Sequence, residues 1–177
     1  MASPSSSERR VAFVTGASRG IGAAAALALA ESGFDIVATA RTLHPGEQHD
    51  YGSTKAESQL RSLPGSLEET AKAVRERGRE ALVLRLDLLD AASIDAALDR
   101  TYAEWGHIDL LLNNGIYQGP GLMERLADLR PDEVRTIFEG NVFAQLRITQ
   151  RVVAAMRERG RSGSELYRKR GSAVGDT

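Results

Sequence analysis

Three glycines near the amino terminus have the spacing of a turn that can bind phosphate. Gly16, Gly20 and Gly22 follow an apolar run at residues 11–14 and precede an alanine- and leucine-rich stretch. Gly16 permits a tight turn, Gly20 lets a ligand approach the backbone, and Gly22 allows close helix packing. The following helix supplies unpaired amides and a positive dipole end. This segment therefore predicts a cradle for an anion; the alternative is an ordinary glycine-rich turn.

The elements that position this turn alternate between strand and helix. Apolar runs at residues 11–14, 36–39, 81–86 and 108–112 predict four buried strands, and helical patterns separate them. Parallel strands joined by right-handed crossover helices form a sheet that is covered on both faces. The sequence thus predicts an α/β fold, a doubly wound parallel sheet in three αβα layers of the Rossmann type.

Two further stretches need their own interpretation. Residues 42–65 are rich in Gly, Ser, His and Pro and are too long for an ordinary connection. They are either a functional loop or a mobile insertion. The last helix, from about residue 132 to 159, carries an apolar stripe. Its members are Val134, Ile137, Phe138, Val142, Leu146, Val152 and Met156.

Composition limits the classes of function. The 177 residues carry a formal net charge of −1, which gives no reason to expect nucleic acid or an anionic membrane as a partner. The chain has no cysteine, which excludes disulfides. No apolar run approaches the roughly 20 residues of a membrane span. Residues 1–10 form a polar leader, expected to be disordered, without the apolar region of a signal peptide. We expect a cytoplasmic single domain without a metal site.

With Thr15, the glycines form the pattern TGxxxGxG, which resembles the motif of the classical short-chain dehydrogenase/reductase family. Asp87 resembles the family's adenine-contacting Asp, and residues 113–115 resemble its NNAG motif, with Gly in place of Ala. The resemblance covers residues 11–160. It implies hydride transfer between a nicotinamide dinucleotide and a small carbonyl or alcohol substrate. The cofactor contacts that it implies are Gly16, Ser18, Arg19, Gly20, Ile21, Gly22, Arg41, Asp87, Leu88, Asn113, Asn114 and Gly115.

The residue after the second strand distinguishes the two nicotinamide dinucleotides. A carboxylate there accepts from the ribose 2′-hydroxyl, whereas a basic side chain neutralises a 2′-phosphate. This chain has Arg41 at that place, whose planar fork of donors suits phosphate, and Arg19 is placed to assist. We therefore predict NADP(H) rather than NAD(H). The alternative is that Arg41 is a solvated surface residue.

The resemblance also implies a catalytic Ser, Tyr and Lys, with Lys lowering the pKa of the Tyr. The one Tyr-x-x-x-Lys match, Tyr51 and Lys55, follows the second strand instead of the fifth, so we interpret it as a solvated loop. Asn141 stands where the family has an active-site Asn and would hold a water in the proton relay. The alternative is a hydrogen-bonded core Asn. Ser172 is the nearest candidate for the catalytic serine.

The expected fifth strand is missing after residue 160. Residues 161–170 read RSGSELYRKR, which cannot form a strand buried on both faces. We expect a fold that is incomplete after the fourth strand and the long helix. Residues 161–177 would then be an irregular tail in a scrambled, C-terminally truncated chain. The fourth strand would become an edge that exposes Ile108, Leu110, Leu111 and Leu112, and the long helix is a candidate for homo-oligomer contacts.

The missing Tyr–Lys pair argues against turnover by this chain alone. The alternative function is a non-catalytic dinucleotide-binding fragment or a partner-docking remnant. A methyltransferase on the same fold is disfavoured by Arg41 and by the two neighbouring asparagines, Asn113 and Asn114.

Overall fold

The computed structural model describes residues 9–160. Along the chain the elements are β1 (Val11–Thr15), α1 (Gly20–Glu31), β2 (Asp35–Ala40), β3 (Gln48–Asp50), β4 (Leu60–Ser62), α2 (Leu67–Glu76), β5 (Ala81–Arg85), α3 (Ala91–Trp105), β6 (Leu110–Leu112), α4 (Pro131–Phe138) and α5 (Ala144–Glu158). Four strands form a parallel sheet in the order β5-β2-β1-β6, and β3 and β4 form a separate antiparallel pair. The predicted α/β fold with a doubly wound parallel sheet is confirmed.

The two faces of the sheet carry separate cores because successive side chains of a strand point to opposite sides. Ala12 and Val14 of β1 pack with apolar side chains of α1 and α2. Val11 and Phe13 pack with those of α3 and α5. All four of these β1 side chains are fully buried. The fold therefore has the three predicted layers, with β1 in the middle of the sheet.

Local signals in the sequence set the helix ends. Ser66 caps α2, where its Oγ accepts from the amide of Glu69 at 3.2 Å. Asp90 caps α3 in the same way, accepting from the amide of Ala92 at 2.9 Å. Gly33 and Gly106 follow α1 and α3 with φ of +91° and +77°, the left-handed conformation that ends helices. The cap at Asp90 thus fixes the start of α3 after β5, and the cap at Ser66 fixes the start of α2.

The predicted long helix is interrupted by a π-helical turn, Glu139–Phe143, between α4 and α5. The extra residue of this turn rotates the helix face, since a π turn closes over five residues rather than four. Ile148 and Val152 are buried against the sheet, whereas Phe138, Val142 and Leu146 are about half exposed. The predicted stripe is therefore divided: Val152 is buried against the sheet, whereas Phe138, Val142 and Leu146 lie on a half-exposed face.

The edge strand β6 differs in one respect from the prediction. It pairs with β1 on one side only within the described sheet. Leu110, Leu111 and Leu112 are partly buried, but Ile108 is almost fully buried in the core with α3 and α5. The expectation that Ile108 is exposed is wrong, because it precedes the strand and points under α5.

Several predictions fall on the chain ends. Residues 1–8 of the leader, the tail at 161–177 and Ser172 lie outside the described residues. Arg9 and Arg10, the last leader residues, contact the domain through the rings of Trp105 and Phe34. Among residues 9–160 we find no helix long and apolar enough to cross a membrane, and no cluster of His, Cys, Asp or Glu suited to a metal ion.

Candidate functional site

A cleft lies at the carboxyl ends of the four parallel strands, where doubly wound folds bind their ligands. Each strand contributes the residues that directly follow it. The cleft is lined by Thr15, Gly16, Ser18, Arg19, Ala40, Arg41, Thr42, Tyr51, Leu63, Leu86, Asp87, Leu88, Asn114, Gly115, Ile116, Tyr117 and Gln118.

The glycine turn has the geometry that its spacing predicts. Gly16 has φ of +68°, and a Cβ on it would lie 2.7 Å from the Cα of Gly115. A Cβ on Gly22 would lie 2.2 Å from the carbonyl oxygen of Gly16, so helix α1 can approach the turn only with glycine there. Gly20, with φ of +56°, would direct a Cβ into open space. The backbone at Gly20 is therefore open to a ligand.

Hydrogen bonds from neighbouring elements hold the turn in place. The amide of Ala17 donates to the carbonyl of Thr39 at 3.0 Å, and the hydroxyl of Thr70 donates to the carbonyl of Ala17 at 2.8 Å. The hydroxyl oxygen of the buried Thr15 accepts from the amides of Asn114 at 3.0 Å and Gly115 at 2.9 Å. Thr15 thus joins the ends of β1 and β6, the two walls of the cleft.

Arg19 extends from the turn to residues beyond β2. Its guanidinium donates to the hydroxyl of Tyr51 at 2.6 Å, to the hydroxyl of Thr42 at 3.2 Å and to the carbonyl of Gly65 at 2.9 Å. Three of its five N–H groups therefore have partners within the protein, and its Nε is buried without one among the described residues. Arg19 anchors the segment after β2, and its predicted contact with a cofactor stays a prediction.

Arg41 brings positive charge to the cleft. Its guanidinium carbon lies 5.5 Å from the centre of the Tyr51 ring, and it takes part in no ion pair within residues 9–160. Burial lowers the pKa of His49, and the charge of Arg41 lowers that pKa further. Burial raises the pKa of Tyr117, which Arg41 opposes. The charge of Arg41 thus acts on a titratable group of β3 and on one that follows β6.

The predicted cofactor contacts fall into three groups. Eight line the cleft: Gly16, Ser18, Arg19, Arg41, Asp87, Leu88, Asn114 and Gly115. Gly20, Ile21 and Gly22 lie beside it at the start of α1, where the side chain of Ile21 is 82% exposed. Asn113 points away, because its amide donates to the hydroxyl of Thr149 on α5 at 2.9 Å. Their roles toward a cofactor stay predictions.

Asn141 lies in the π-helical turn and holds the backbone of Tyr117. Its Oδ1 accepts from the amide of Tyr117 at 2.7 Å, and its Nδ2 donates to the carbonyl of the same residue at 3.1 Å. A Cβ on neighbouring Gly140 would lie 2.4 Å from the Cβ of Tyr117, so the two segments pack closely. The side chain therefore positions the cleft wall after β6, and the relay role predicted for it stays a prediction.

The interpretation of Tyr51 and Lys55 as a solvated loop is wrong for Tyr51. That side chain is only 9% exposed, and it lines the cleft against Arg19 and Thr42. Lys55 is 47% exposed and pairs with Glu133 instead of the tyrosine. Sequence analysis also did not predict that Tyr117 and Gln118 line the cleft. No local pattern in the sequence marks Tyr51 as buried.

A family model for short chain dehydrogenases matches residues 10–61 and 59–164. The chain belongs to the short-chain dehydrogenase family. Its similarity to cyclohexanol dehydrogenase of Rhodococcus sp. strain TK6 is 32% identity over 155 residues, which covers 87% of this chain and 54% of the relative. For the 3-oxoacyl-[acyl-carrier-protein] reductase of Escherichia coli K12, identity is 31% over 150 residues, 84% of this chain and 50% of the relative.

Solved structures of short-chain dehydrogenases have the same fold. Carveol dehydrogenase of Mycobacterium avium, in complex with NAD, superimposes with a TM-score of 0.69 at 26% identity, over 86% of this chain and 51% of that one. L-sorbose reductase of Gluconobacter frateurii, complexed with NADPH and L-sorbose, gives 0.66 at 27% identity, over 86% and 49%. The chain thus spans about half the length of its relatives. Since these relatives are dehydrogenases and reductases, the non-catalytic alternative is not favoured.

Proposed function

We propose that this chain forms the dinucleotide-binding part of an NADP(H)-dependent oxidoreductase, which transfers hydride to or from a small carbonyl or alcohol substrate. The observation that carries this proposal is the cleft at the carboxyl ends of four parallel strands, where an open glycine turn faces Arg41. Cyclohexanol dehydrogenase and L-sorbose reductase, by their names, act on compounds of these two classes.

The cleft fits a dinucleotide in two ways. The backbone at Gly20 is open, and the first amides of α1 and the positive end of its dipole lie directly after it, which suits a diphosphate. Asp87 also lines the cleft, and its Oδ1 accepts from the amide of Leu89 at 3.0 Å. This carboxylate would accept from the amino group of an adenine. When bound, the nicotinamide would supply or accept the hydride, and this chain's residues would bind and orient the dinucleotide.

The preference for NADP(H) rests on Arg41. One solved relative contains NAD and another NADPH, so the relatives do not decide between the two. Arg41 has no ion-pair partner among the described residues, and Asp87 is the one carboxylate among the residues that line the cleft. A 2′-phosphate carries nearly two negative charges and accepts the bidentate hydrogen bonds that a guanidinium donates.

The test is a calorimetric titration of the purified chain with NADPH and NADH. We expect NADPH to bind at least about tenfold more tightly, equal to about 1.4 kcal/mol. Arg41→Ala should remove this difference by weakening NADPH, with NADH little changed. Arg100→Ala, on the outer face of α3 beside Glu104, is the control and should leave both affinities unchanged. Tight binding of NADH alone would overturn the proposal.

A further inference from the structure

The segment between β2 and α2 does more than connect them. Residues 44–65, here named the strap, include the β3–β4 pair and cross from the end of β2 to the residues that follow β6. Tyr51 and Leu63 of the strap line the cleft from the side opposite the sheet. A short connection would leave that side open. The strap therefore covers one end of the cleft.

The base of the strap is firmly held. The amides of Leu67 and Glu68 donate to the carbonyls of Thr42 and Leu43, both at 3.1 Å, so the strap leaves and rejoins the domain at one place. Tyr51 is buried there against Arg19. These contacts combine buried groups with a charged donor, and such hydrogen bonds are among the stronger ones.

The strap is also a folded unit in itself. Asp50 Oδ1 accepts from the amides of Gly52 at 2.8 Å and Gln59 at 3.3 Å, and its other oxygen accepts from the hydroxyl of Ser58. These bonds join the two arms of the β3–β4 pair. Gly46 and Gly65, with φ of +85° and +96°, stand near its two ends. The part of the strap that can move is its tip, residues 53–57, while Tyr51 stays bound to Arg19.

Hydrogen bonds and one ion pair join the tip of the strap to the segment after β6. The amide of Met123 donates to the carbonyl of Ser53 at 3.1 Å, and Gln118 Nε2 donates to the hydroxyl of Ser53 at 3.0 Å. The Nζ of Lys55 lies 3.0 Å from Glu133 Oε1, and its amide donates to Glu124 Oε1 at 2.8 Å. Lys55 is 47% exposed although Glu133 is only 10% exposed, so water screens the pair from the lysine side. We therefore expect the tip to separate before the base.

The cleft is small with the tip in place. Its volume is about 210 Å³, below the roughly 300–1,000 Å³ of typical ligand sites. From the firm base, the weak tip and this volume, we propose that the strap is a gate: its tip leaves residues 118–133 to admit a dinucleotide and returns to retain it. This inference rests on the proposed function of the same cleft.

A reversible lock tests the gate. The chain has no cysteine, so Ser53→Cys with Met123→Cys introduces its only two thiols. The backbone hydrogen bond between these positions brings them within reach of a disulfide. The doubly substituted protein is loaded with NADPH, oxidised, and chased with excess NADP⁺ while the nucleotide fluorescence is followed. We expect release at least about tenfold slower than from the same protein kept reduced; equal rates would overturn the gate.

A second variant tests the gate without a disulfide. Lys55→Ala with Gln118→Ala removes the ion pair with Glu133 and the hydrogen bond to Ser53. It should speed NADPH release about tenfold, if these two contacts together contribute about 1.4 kcal/mol. Lys72→Ala, in an exposed pair with Glu76 on α2, is the control and should not change the rate of NADPH release. A release rate equal to that of the control contradicts the gate.

Failure of the gate can be told from failure of the proposed function. If neither NADPH nor NADH binds to the wild-type chain or the reduced variant, the proposed function is wrong and the gate falls with it. If both bind but the lock and the tip variant leave the rates unchanged, only the gate is wrong. Hydrogen exchange gives a readout without nucleotide: the amides of Lys55 and Met123 should be protected in the wild type and exchange faster in the tip variant. Unprotected amides in the wild type would overturn the gate.

Discussion

The hydroxyl of Tyr51 lies 2.6 Å from Nη1 of Arg19, and this bond joins the glycine turn to the base of the strap. The same hydroxyl lies 3.1 Å from Oγ1 of Thr42. Since the guanidinium is charged and partly buried, its acceptor contributes more than an ordinary surface hydrogen bond.

Tyr51→Phe should therefore lower the free energy of unfolding. The ring remains in place, but one guanidinium N–H loses its acceptor, with an expected cost of about 1.5–3 kcal/mol. Urea denaturation followed by circular dichroism measures this cost.

Tyr102→Phe is the matched control for that experiment. The Tyr102 hydroxyl is buried without a hydrogen-bond partner within residues 9–160, and burial raises its pKa. Removing a hydroxyl that has no partner should leave stability unchanged or increase it. An equal loss in both variants would show that the bond between Arg19 and Tyr51 adds nothing.

Two alanine substitutions test separately the steric overlap and the backbone conformation of the glycine turn. Gly22→Ala should prevent folding or cost several kcal/mol, because its Cβ would overlap the carbonyl of Gly16 at 2.2 Å. Gly20→Ala meets no atom and should cost about 1–2 kcal/mol for its positive φ alone. Thermal unfolding of the two variants measures the difference, and the reverse order of stability would contradict this geometry.

Asn141→Ala should destabilise the chain by about 1–3 kcal/mol, because both backbone groups of Tyr117 lose their partner. Asn113→Ala is a suitable comparison, since its side chain is exposed and bonds only to Thr149 among the described residues. That change should cost less than about 1 kcal/mol. Urea titration compares the two, and similar costs would argue against a positioning role for Asn141.

The ion pairs between α3 and α5 predict a particular acid response. Hydrogen bonds from Arg147, and then from Arg151, lower the pKa of Asp95 from 3.8 to about 2. Because the pKa is lower in the folded protein than in the unfolded chain, the stabilisation is complete above pH 3.8 and is lost as the pH falls towards 2. Asp95→Asn should therefore make stability fall less steeply over that range, as measured by thermal unfolding.

Asp128→Asn, at a carboxylate with no ion pair within residues 9–160, is the control for the acid response and should keep the wild-type slope. If Asp95→Asn also keeps that slope, the pairs with Arg147 and Arg151 do not stabilise the fold.

The sequence predicts best what depends on neighbouring residues. The apolar runs and helical patterns indicated the strands and helices, and the glycine spacing indicated the turn at the cleft. The burial of Tyr51 could not be predicted, because its partner Arg19 is 32 residues away and the intervening pattern is polar. The π-helical turn was missed for a different reason: the apolar pattern continues through it, and only tertiary packing decides which face is buried.

The hydroxyl of Thr15 accepts from the amide of Gly115, 100 residues further along the chain. Closing a loop of that length costs chain entropy, and local contacts alone do not offset this cost. During synthesis on the ribosome, the glycine turn can therefore form its contacts with the segment after β6 only once Gly115 has been added to the chain. The complete nucleotide site would form only after that point.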